Sequence, residues 1–110
     1  EDANRDNGCL WVQPGGHLSP LRETYQVDWQ KRKGELIKLN KTPWPVTDEA
    51  VPVEVKAGSV VIFHDHMPHY SSQNRSDKSR HAFTMHAAEQ SAQWSGNNWL
   101  QRKTLGDFIL

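Results

Sequence analysis

The sequence predicts an all-β fold, and three local patterns carry that prediction. A valine stands at every second position from Val51 to Val55, which is the period of a strand with one buried face. Residues 59–63 form an apolar, β-branched run that is too short for a helix. The triplet at residues 14–16, Pro-Gly-Gly, is strong turn chemistry because proline fixes φ and glycine permits positive φ.

Four strands are expected in chain order. The apolar residues 9–13 form the first strand, which the turn at residues 14–16 ends. Residues 51–55 form the second, and Pro52 places it at a sheet edge or a strand start because proline cannot donate to the ladder. Residues 59–63 form a third strand, buried on both faces, and the alternation over residues 80–87 indicates a fourth.

Residues 14–50 show no sustained periodicity, so a long irregular loop is expected between the first and second strands. Loops of this length in compact domains are often lids or binding loops. The segment contains Tyr25, Trp29 and Trp44, which suit either a lid over a site or an ordinary insertion packed by its own aromatic side chains. Both interpretations stay open.

Length and charge restrict the class of protein. The chain has 110 residues, enough for one domain, and its 13 basic and 13 acidic residues balance. Nucleic acids and anionic membranes both need a basic excess on one face, so neither is an expected partner. Cys9 is the single cysteine and cannot form an internal disulfide, and the residues show no signal peptide or membrane span. A cytoplasmic location and a small-molecule substrate are expected.

Three histidines, His64, His66 and His69, fall within six residues directly after the third predicted strand. Imidazole binds Zn, Cu, Ni and non-haem Fe, so the cluster is a candidate metal site. Taken together, the three resemble the His-x-His-x-Asp-His pattern of metallo-β-lactamase-like hydrolases. The aspartate of that pattern falls on Pro68, which cannot bind a metal.

A second interpretation takes His69 alone and asks which residues share its surroundings. Ser71 lies two residues further on and therefore on the same strand face. Arg80 follows eleven residues after His69, and a hairpin over the polar residues 73–79 would bring it back beside that histidine. An arginine there can hold one carboxylate bidentately while the other end of the same molecule chelates a metal. This is the outline of a 2-oxoglutarate site.

Several motifs together resemble the C-terminal part of the phytanoyl-CoA dioxygenase family. They are Asp6-Asn7-Gly8-Cys9-Leu10-Trp11-Val12-x-Pro14-Gly15-x-His17, Gly58-x-Val60-Val61-Ile62-Phe63-His64, His69-x-Ser71-x-x-Asn74-x-Ser76-x-x-Ser79-Arg80-x-Ala82-Phe83-Thr84 and Asn98-Trp99-Leu100. The resemblance implies a double-stranded β-helix, a jelly-roll or cupin-like barrel, that uses Fe(II) and 2-oxoglutarate. It makes His69 an iron ligand and gives Ser71 and Arg80 the far carboxylate of 2-oxoglutarate. It does not cover residues 18–50.

The chain departs from the family pattern in one respect. The family supplies the other two iron ligands as His-x-Asp, upstream of the Asn-Gly-Cys-Leu motif, and this sequence contains no His-x-Asp. Residues 1–110 are therefore expected to be a partial dioxygenase domain whose N-terminal part is missing, inactive in isolation and prone to self-association. A halogenase, in which the carboxylate ligand is replaced, stays open.

Two functions from different classes follow. The first is a fragment of an Fe(II)/2-oxoglutarate-dependent dioxygenase that hydroxylates a small molecule or an acyl-CoA-type substrate and releases succinate and CO2. The alternative is a non-catalytic, cupin-like or zinc-binding module that uses the cluster of His64, His66 and His69.

Overall fold

The computed structural model describes residues 1–45, 47–89 and 91–101. The strands are β1 (Leu10–Val12), β2 (Glu23–Asp28), β3 (Lys33–Lys38), β4 (Val51–Val53) and β5 (His69–Ser71). Two single-turn 3-10 helices, Gly16–Leu18 and Thr47–Glu49, accompany them, and the described residues contain no α-helix. The all-β prediction is confirmed.

The chain forms two compact units. The first consists of Glu1–Pro20 and Thr42–Thr84, and the second of Leu21–Lys41 and Met85–Leu110. In the first unit β1, β4 and β5 form an antiparallel sheet in the order β4-β1-β5. In the second unit β2 and β3 pair as an antiparallel hairpin.

The Asn-Gly-Cys motif of the first unit is buried. Asn7, Gly8 and Cys9 are all buried, and Cys9 is fully so. Asn7 Oδ1 accepts a hydrogen bond of 2.8 Å from the Asn4 backbone N–H, and Asn7 Nδ2 donates one of 2.8 Å to the Asp2 carbonyl. Burial raises the pKa of the Cys9 thiol, so this side chain remains protonated and packs as a small apolar group. The motif therefore closes the turn that leads into β1.

Gly8 has two separate reasons to be glycine. Its φ is +82°, and a Cβ built on it would lie 2.7 Å from the backbone carbonyl oxygen of Ser72. Gly58 has a similar φ of +84°, but nothing lies within 4 Å of its hypothetical Cβ. Both positions need a residue that tolerates positive φ, but only Gly8 also lacks room for a side chain. A comparison of the two positions therefore distinguishes backbone strain from steric contact.

We expect Gly8→Ala to destabilise the protein more than Gly58→Ala. The left-handed conformation costs an alanine about 1–2 kcal/mol at either position. Only at Gly8 must backbone also move away, which adds about 1–3 kcal/mol. Equilibrium urea unfolding of the two variants measures both free energies of unfolding. Equal losses at the two positions would contradict the close approach of Ser72 to Gly8.

Two of the four predicted strands are confirmed. Residues 10–12 of the first form β1, and the predicted turn follows at residues 14–15. Residues 51–53 of the second form β4, and Val55 makes an isolated bridge to Ala3. β4 stands at the edge of its sheet, as Pro52 requires.

The predicted strand at residues 59–63 is wrong. The segment has no regular secondary structure, and Val60 and Ile62 are 82% and 91% exposed. A strand buried on both faces needs partner strands beside it and layers above and below it. The described residues place no strand against this segment, so its β-branched composition finds no ladder to join.

The predicted strand at residues 80–87 is also wrong, because these residues have no regular secondary structure. The long irregular loop is correct for residues 39–45 and wrong for residues 23–38, which form the β2–β3 hairpin. Asp28 Oδ1 accepts hydrogen bonds of 3.0 Å from the backbone N–H groups of Gln30 and Lys31, which stabilises the turn of that hairpin.

The described residues include no helix that is both long and apolar enough to cross a membrane.

Candidate functional site

Strand β5 carries two of the predicted site residues, His69 and Ser71, on one face of the sheet. In its pairing with β1, His69 lies opposite Val12 and Ser71 opposite Leu10. Tyr70 lies opposite Trp11, and their rings stack with centroids 6.0 Å apart and an interplanar angle of 10°. Since side chains alternate along a strand, His69 and Ser71 share the face opposite to that stacked pair. This agrees with the prediction that the two residues share a face.

The imidazole of His69 is held by its own backbone neighbourhood. Its Nδ1 lies 2.8 Å from the Met67 carbonyl oxygen, which can only accept a hydrogen bond. Nδ1 must therefore carry the proton, and in the neutral ring Nε2 keeps a free lone pair. This is the tautomer of a metal-binding histidine whose second nitrogen bonds to a backbone carbonyl.

Apolar groups border His69. The Phe63 ring lies against it, with centroids 5.0 Å apart and the planes tilted by 58°. A cavity of about 180 Å³ adjoins the start of β5. Its lining residues are Gln13, Trp44, Pro45, Ala50, Pro68, His69 and Tyr70. His69 is thus part of a lining that is mainly apolar.

The chain returns after β5 so that Arg80 meets Ser71. Arg80 Nη2 donates a hydrogen bond of 3.0 Å to Ser71 Oγ. Arg80 is half-buried, whereas residues 71–79 are all exposed. A guanidinium and a hydroxyl side by side are two hydrogen-bond donors suited to a carboxylate. The predicted hairpin does not form, because residues 80–87 belong to no strand, but the chain does turn back and brings Arg80 into contact with Ser71.

The loop between Ser71 and Arg80 is shaped by Asn74. Asn74 Oδ1 accepts hydrogen bonds of 2.9 Å from both the backbone N–H and the hydroxyl of Ser76. Asn74 Nδ2 donates one of 2.7 Å to the Lys78 carbonyl. The Arg75 N–H donates 2.9 Å to the Asp6 carbonyl, which docks the loop beside the Asn-Gly-Cys turn. The loop that precedes Arg80 is therefore held against the Asn-Gly-Cys turn, so two of the sequence motifs lie together in the fold.

His17, His64 and His66 form a separate row of rings. The rings of His64 and His66 lie edge to face with centroids 5.1 Å apart, and that of His64 lies 5.8 Å from His17. His64 Nδ1 accepts a hydrogen bond of 3.0 Å from the His66 backbone N–H. No group of three His, Cys, Asp or Glu side chains among residues 1–45, 47–89 and 91–101 is arranged to hold a metal. The structure does not gather His64, His66 and His69 into the zinc site of the alternative interpretation.

Sequence reasoning missed Glu1 as a neighbour of the site. Glu1 Oε1 accepts a hydrogen bond of 2.7 Å from the Ser79 hydroxyl, and Oε2 accepts one from the His81 backbone N–H. These bonds, with that of Ser79 contributing most, lower the pKa of Glu1 from 4.5 to about 2. Ser79 and His81 lie 78 and 80 positions after Glu1, so no local sequence pattern connects them with it. Only the folded structure reveals that they meet.

Comparison with known proteins identifies the family. A model of the phytanoyl-CoA dioxygenase family matches residues 1–82, which include both β1 and the segment from His69 to Arg80. The chain belongs to the phytanoyl-CoA dioxygenase family. The family match confirms the resemblance that the sequence motifs indicate.

Relatives in plants and animals support the assignment. Phytanoyl-CoA dioxygenase 1 of Oryza sativa subsp. japonica is 41% identical over 106 residues, covering 94% of this chain and 36% of its own length. Phytanoyl-CoA dioxygenase domain-containing protein 1 of Rattus norvegicus is 38% identical, with the same coverage. Phytanoyl-CoA dioxygenase of Arabidopsis thaliana is 35% identical over 105 residues, covering 93% of this chain and 35% of its own length. The chain thus spans about a third of the length of these relatives. No solved structure matches it.

Proposed function

We propose that this chain supplies part of the active site of an Fe(II)/2-oxoglutarate-dependent dioxygenase. The observation that carries the proposal is the contact of 3.0 Å between Arg80 Nη2 and Ser71 Oγ, on the strand that begins with His69. Family membership independently favours the same chemistry.

The residues fit the roles that the resemblance gives them. Arg80 and Ser71 would bind the far carboxylate of 2-oxoglutarate, the arginine through charge-assisted hydrogen bonds and the serine through its hydroxyl. His69 would give one metal ligand through Nε2, since Nδ1 is engaged with the Met67 carbonyl. When bound, iron supplies the dioxygen chemistry that couples decarboxylation of 2-oxoglutarate, to succinate and CO2, with hydroxylation of the substrate.

The proposed substrate is a small molecule or an acyl-CoA-type thioester. The relatives from Oryza sativa and Arabidopsis thaliana are named for phytanoyl-CoA, which is such a thioester. The mainly apolar cavity that His69 helps to line suits an apolar group near the metal. The test is product analysis with candidate thioesters and their free acids, in which formation of succinate must match consumption of substrate.

The ligand count leads to a prediction about residues 1–110 alone. One imidazole is too weak a donor set to retain Fe(II) against water and buffer, so this chain is expected to form no succinate from 2-oxoglutarate. We compare it with a form extended upstream to the length of the relatives. Succinate formation by the short form at a rate similar to that of the long form would contradict the proposed division of the iron ligands.

Self-association of residues 1–110 is part of the same proposal. Large apolar side chains stand exposed along two irregular segments of the first and second units, among them Ile62, Phe83 and Met85. Exposed apolar surface and unpaired strand edges favour pairing with a second copy. Sedimentation at several protein concentrations tests this, and a concentration-independent monomer would contradict it.

A further inference from the structure

We propose that Glu1 is a positioning residue for Arg80, holding the residues on both sides of it, through the Ser79 hydroxyl and the His81 backbone N–H, so that the guanidinium lies beside Ser71. The inference rests on the proposed function, because it concerns the residue that would bind 2-oxoglutarate. It adds a group outside the motifs that carry the family resemblance.

The carboxylate of Glu1 accepts hydrogen bonds from both chain neighbours of Arg80, Ser79 and His81. Glu1 Oε1 accepts a hydrogen bond of 2.7 Å from the Ser79 hydroxyl. Glu1 Oε2 accepts one from the His81 backbone N–H and lies 3.3 Å from His81 Nδ1. Arg80 stands between these two attachment points. A two-point attachment restricts the backbone torsions that set where the Arg80 side chain leaves the chain.

This attachment matters because no strand holds the backbone of Arg80 in the part of the chain that the structure describes. Residues 80–87 belong to no strand, so no ladder of backbone hydrogen bonds fixes the position of the arginine. On its N-terminal side, Asn74 organises the loop only as far as the Lys78 carbonyl. The Glu1 contacts begin at Ser79, the next residue. A bidentate arginine loses affinity when its fork is misaligned with the carboxylate, so orientation of its backbone has a direct effect on binding.

The carboxylate is also suited to hold these donors over the working pH range. Its pKa of about 2 keeps it ionised and accepting at neutral pH. Glu1 is exposed and surrounded by donors rather than buried in the core, so the contact shapes a local segment and not the packing of the sheet.

The experiment measures binding of 2-oxoglutarate to the full-length protein with Fe(II) and without dioxygen, by calorimetric titration. Glu1→Gln removes the charge and turns an amide N–H toward one of the donors, and we expect it to raise the dissociation constant about threefold to tenfold. Asp2→Asn is the matched control. Asp2 is the neighbouring acid, and it accepts instead from the Ala57 N–H and from Lys56 Nζ. It should change the constant less than about twofold.

A double-mutant cycle distinguishes positioning from a general structural role. In the background of Arg80→Ala, Glu1→Gln should have no further effect on the dissociation constant, because the residue through which it acts is gone. Ser79→Ala, which removes a donor from the same carboxylate, should raise the constant in the same direction and serves if Glu1→Gln does not fold. Thermal unfolding of each variant checks the fold.

The outcomes separate the two proposals. An unchanged constant in Glu1→Gln, or an effect that adds fully to that of Arg80→Ala, would overturn the positioning role and leave the 2-oxoglutarate site intact. If Arg80→Ala itself leaves binding unchanged, the proposed 2-oxoglutarate site fails and the positioning role falls with it.

Discussion

His69→Ala is expected to abolish turnover in the full-length protein. The substitution removes the imidazole whose Nε2 lone pair is available to a metal, since Nδ1–H bonds to the Met67 carbonyl at 2.8 Å. Loss even of a group that orients a metal ligand typically costs 10- to 100-fold in affinity or activity, so loss of a ligand itself should cost about 100-fold or more. Succinate formation, measured over a range of Fe(II) concentrations, gives both the residual rate and the apparent metal affinity.

His66→Ala is the matched control for this experiment. His66 is exposed, and its ring contacts that of His64. It should retain activity within about twofold of the parent, as expected for a surface substitution outside the site. If His66→Ala abolishes turnover while His69→Ala retains it, the iron ligand is misassigned and the metal interpretation of the whole histidine cluster returns.

Spacing arguments predicted which side chains lie near one another better than composition predicted the strands. The shared face of His69 and Ser71 follows from the two-residue period of any strand, and it holds although β5 is only three residues long. The approach of Arg80 to Ser71 follows from a polar loop short enough to fold back on itself. The shared face depends on local geometry alone, and the return of the loop is further held by the bond from the Arg75 N–H to the Asp6 carbonyl.

The strand errors arose because strand formation depends on neighbours. Residues 59–63 have the composition of a buried strand, but pairing needs a second strand, which the described residues do not place there. The β2–β3 hairpin has the opposite character. Its sequence is largely polar. The hairpin is stabilised by pairing between the two strands, with Glu23 opposite Lys38 at one end and Asp28 opposite Lys33 at the other. Such a register is not visible in either strand alone.

The Glu1 contacts show a further limit of sequence reasoning. Among 13 acidic and 13 basic residues, nothing in the sequence connects Glu1 with the distant Arg80. Their relation appears only when the bridge between Ala3 and Val55 and the docking of Arg75 on Asp6 bring distant parts of the first unit together. Contacts at long sequence separation are set by tertiary structure, and no local periodicity encodes them.

Arg80→Lys should raise the Michaelis constant for 2-oxoglutarate about tenfold or more, with a smaller effect on kcat. The arginine presents a planar fork that can form two parallel hydrogen bonds with a carboxylate, and lysine offers a point charge that cannot reproduce them. The Arg80 guanidinium already stands 3.0 Å from Ser71 Oγ, so little rearrangement is needed to receive the carboxylate there. Initial rates over a range of 2-oxoglutarate concentrations, with Fe(II) and substrate saturating, give both constants.

Ser71→Ala provides the graded comparison for that experiment. It removes one neutral hydroxyl, worth about 0.5–1.5 kcal/mol, and leaves the charge of Arg80 in place, so its effect on the Michaelis constant should be smaller than that of Arg80→Lys. The reverse order would mean that the hydroxyl, not the guanidinium, carries the recognition. A group that binds the carboxylate of 2-oxoglutarate must affect the Michaelis constant for 2-oxoglutarate. If neither substitution changes that constant while both lower kcat, Ser71 and Arg80 act on the substrate that is hydroxylated and not on 2-oxoglutarate.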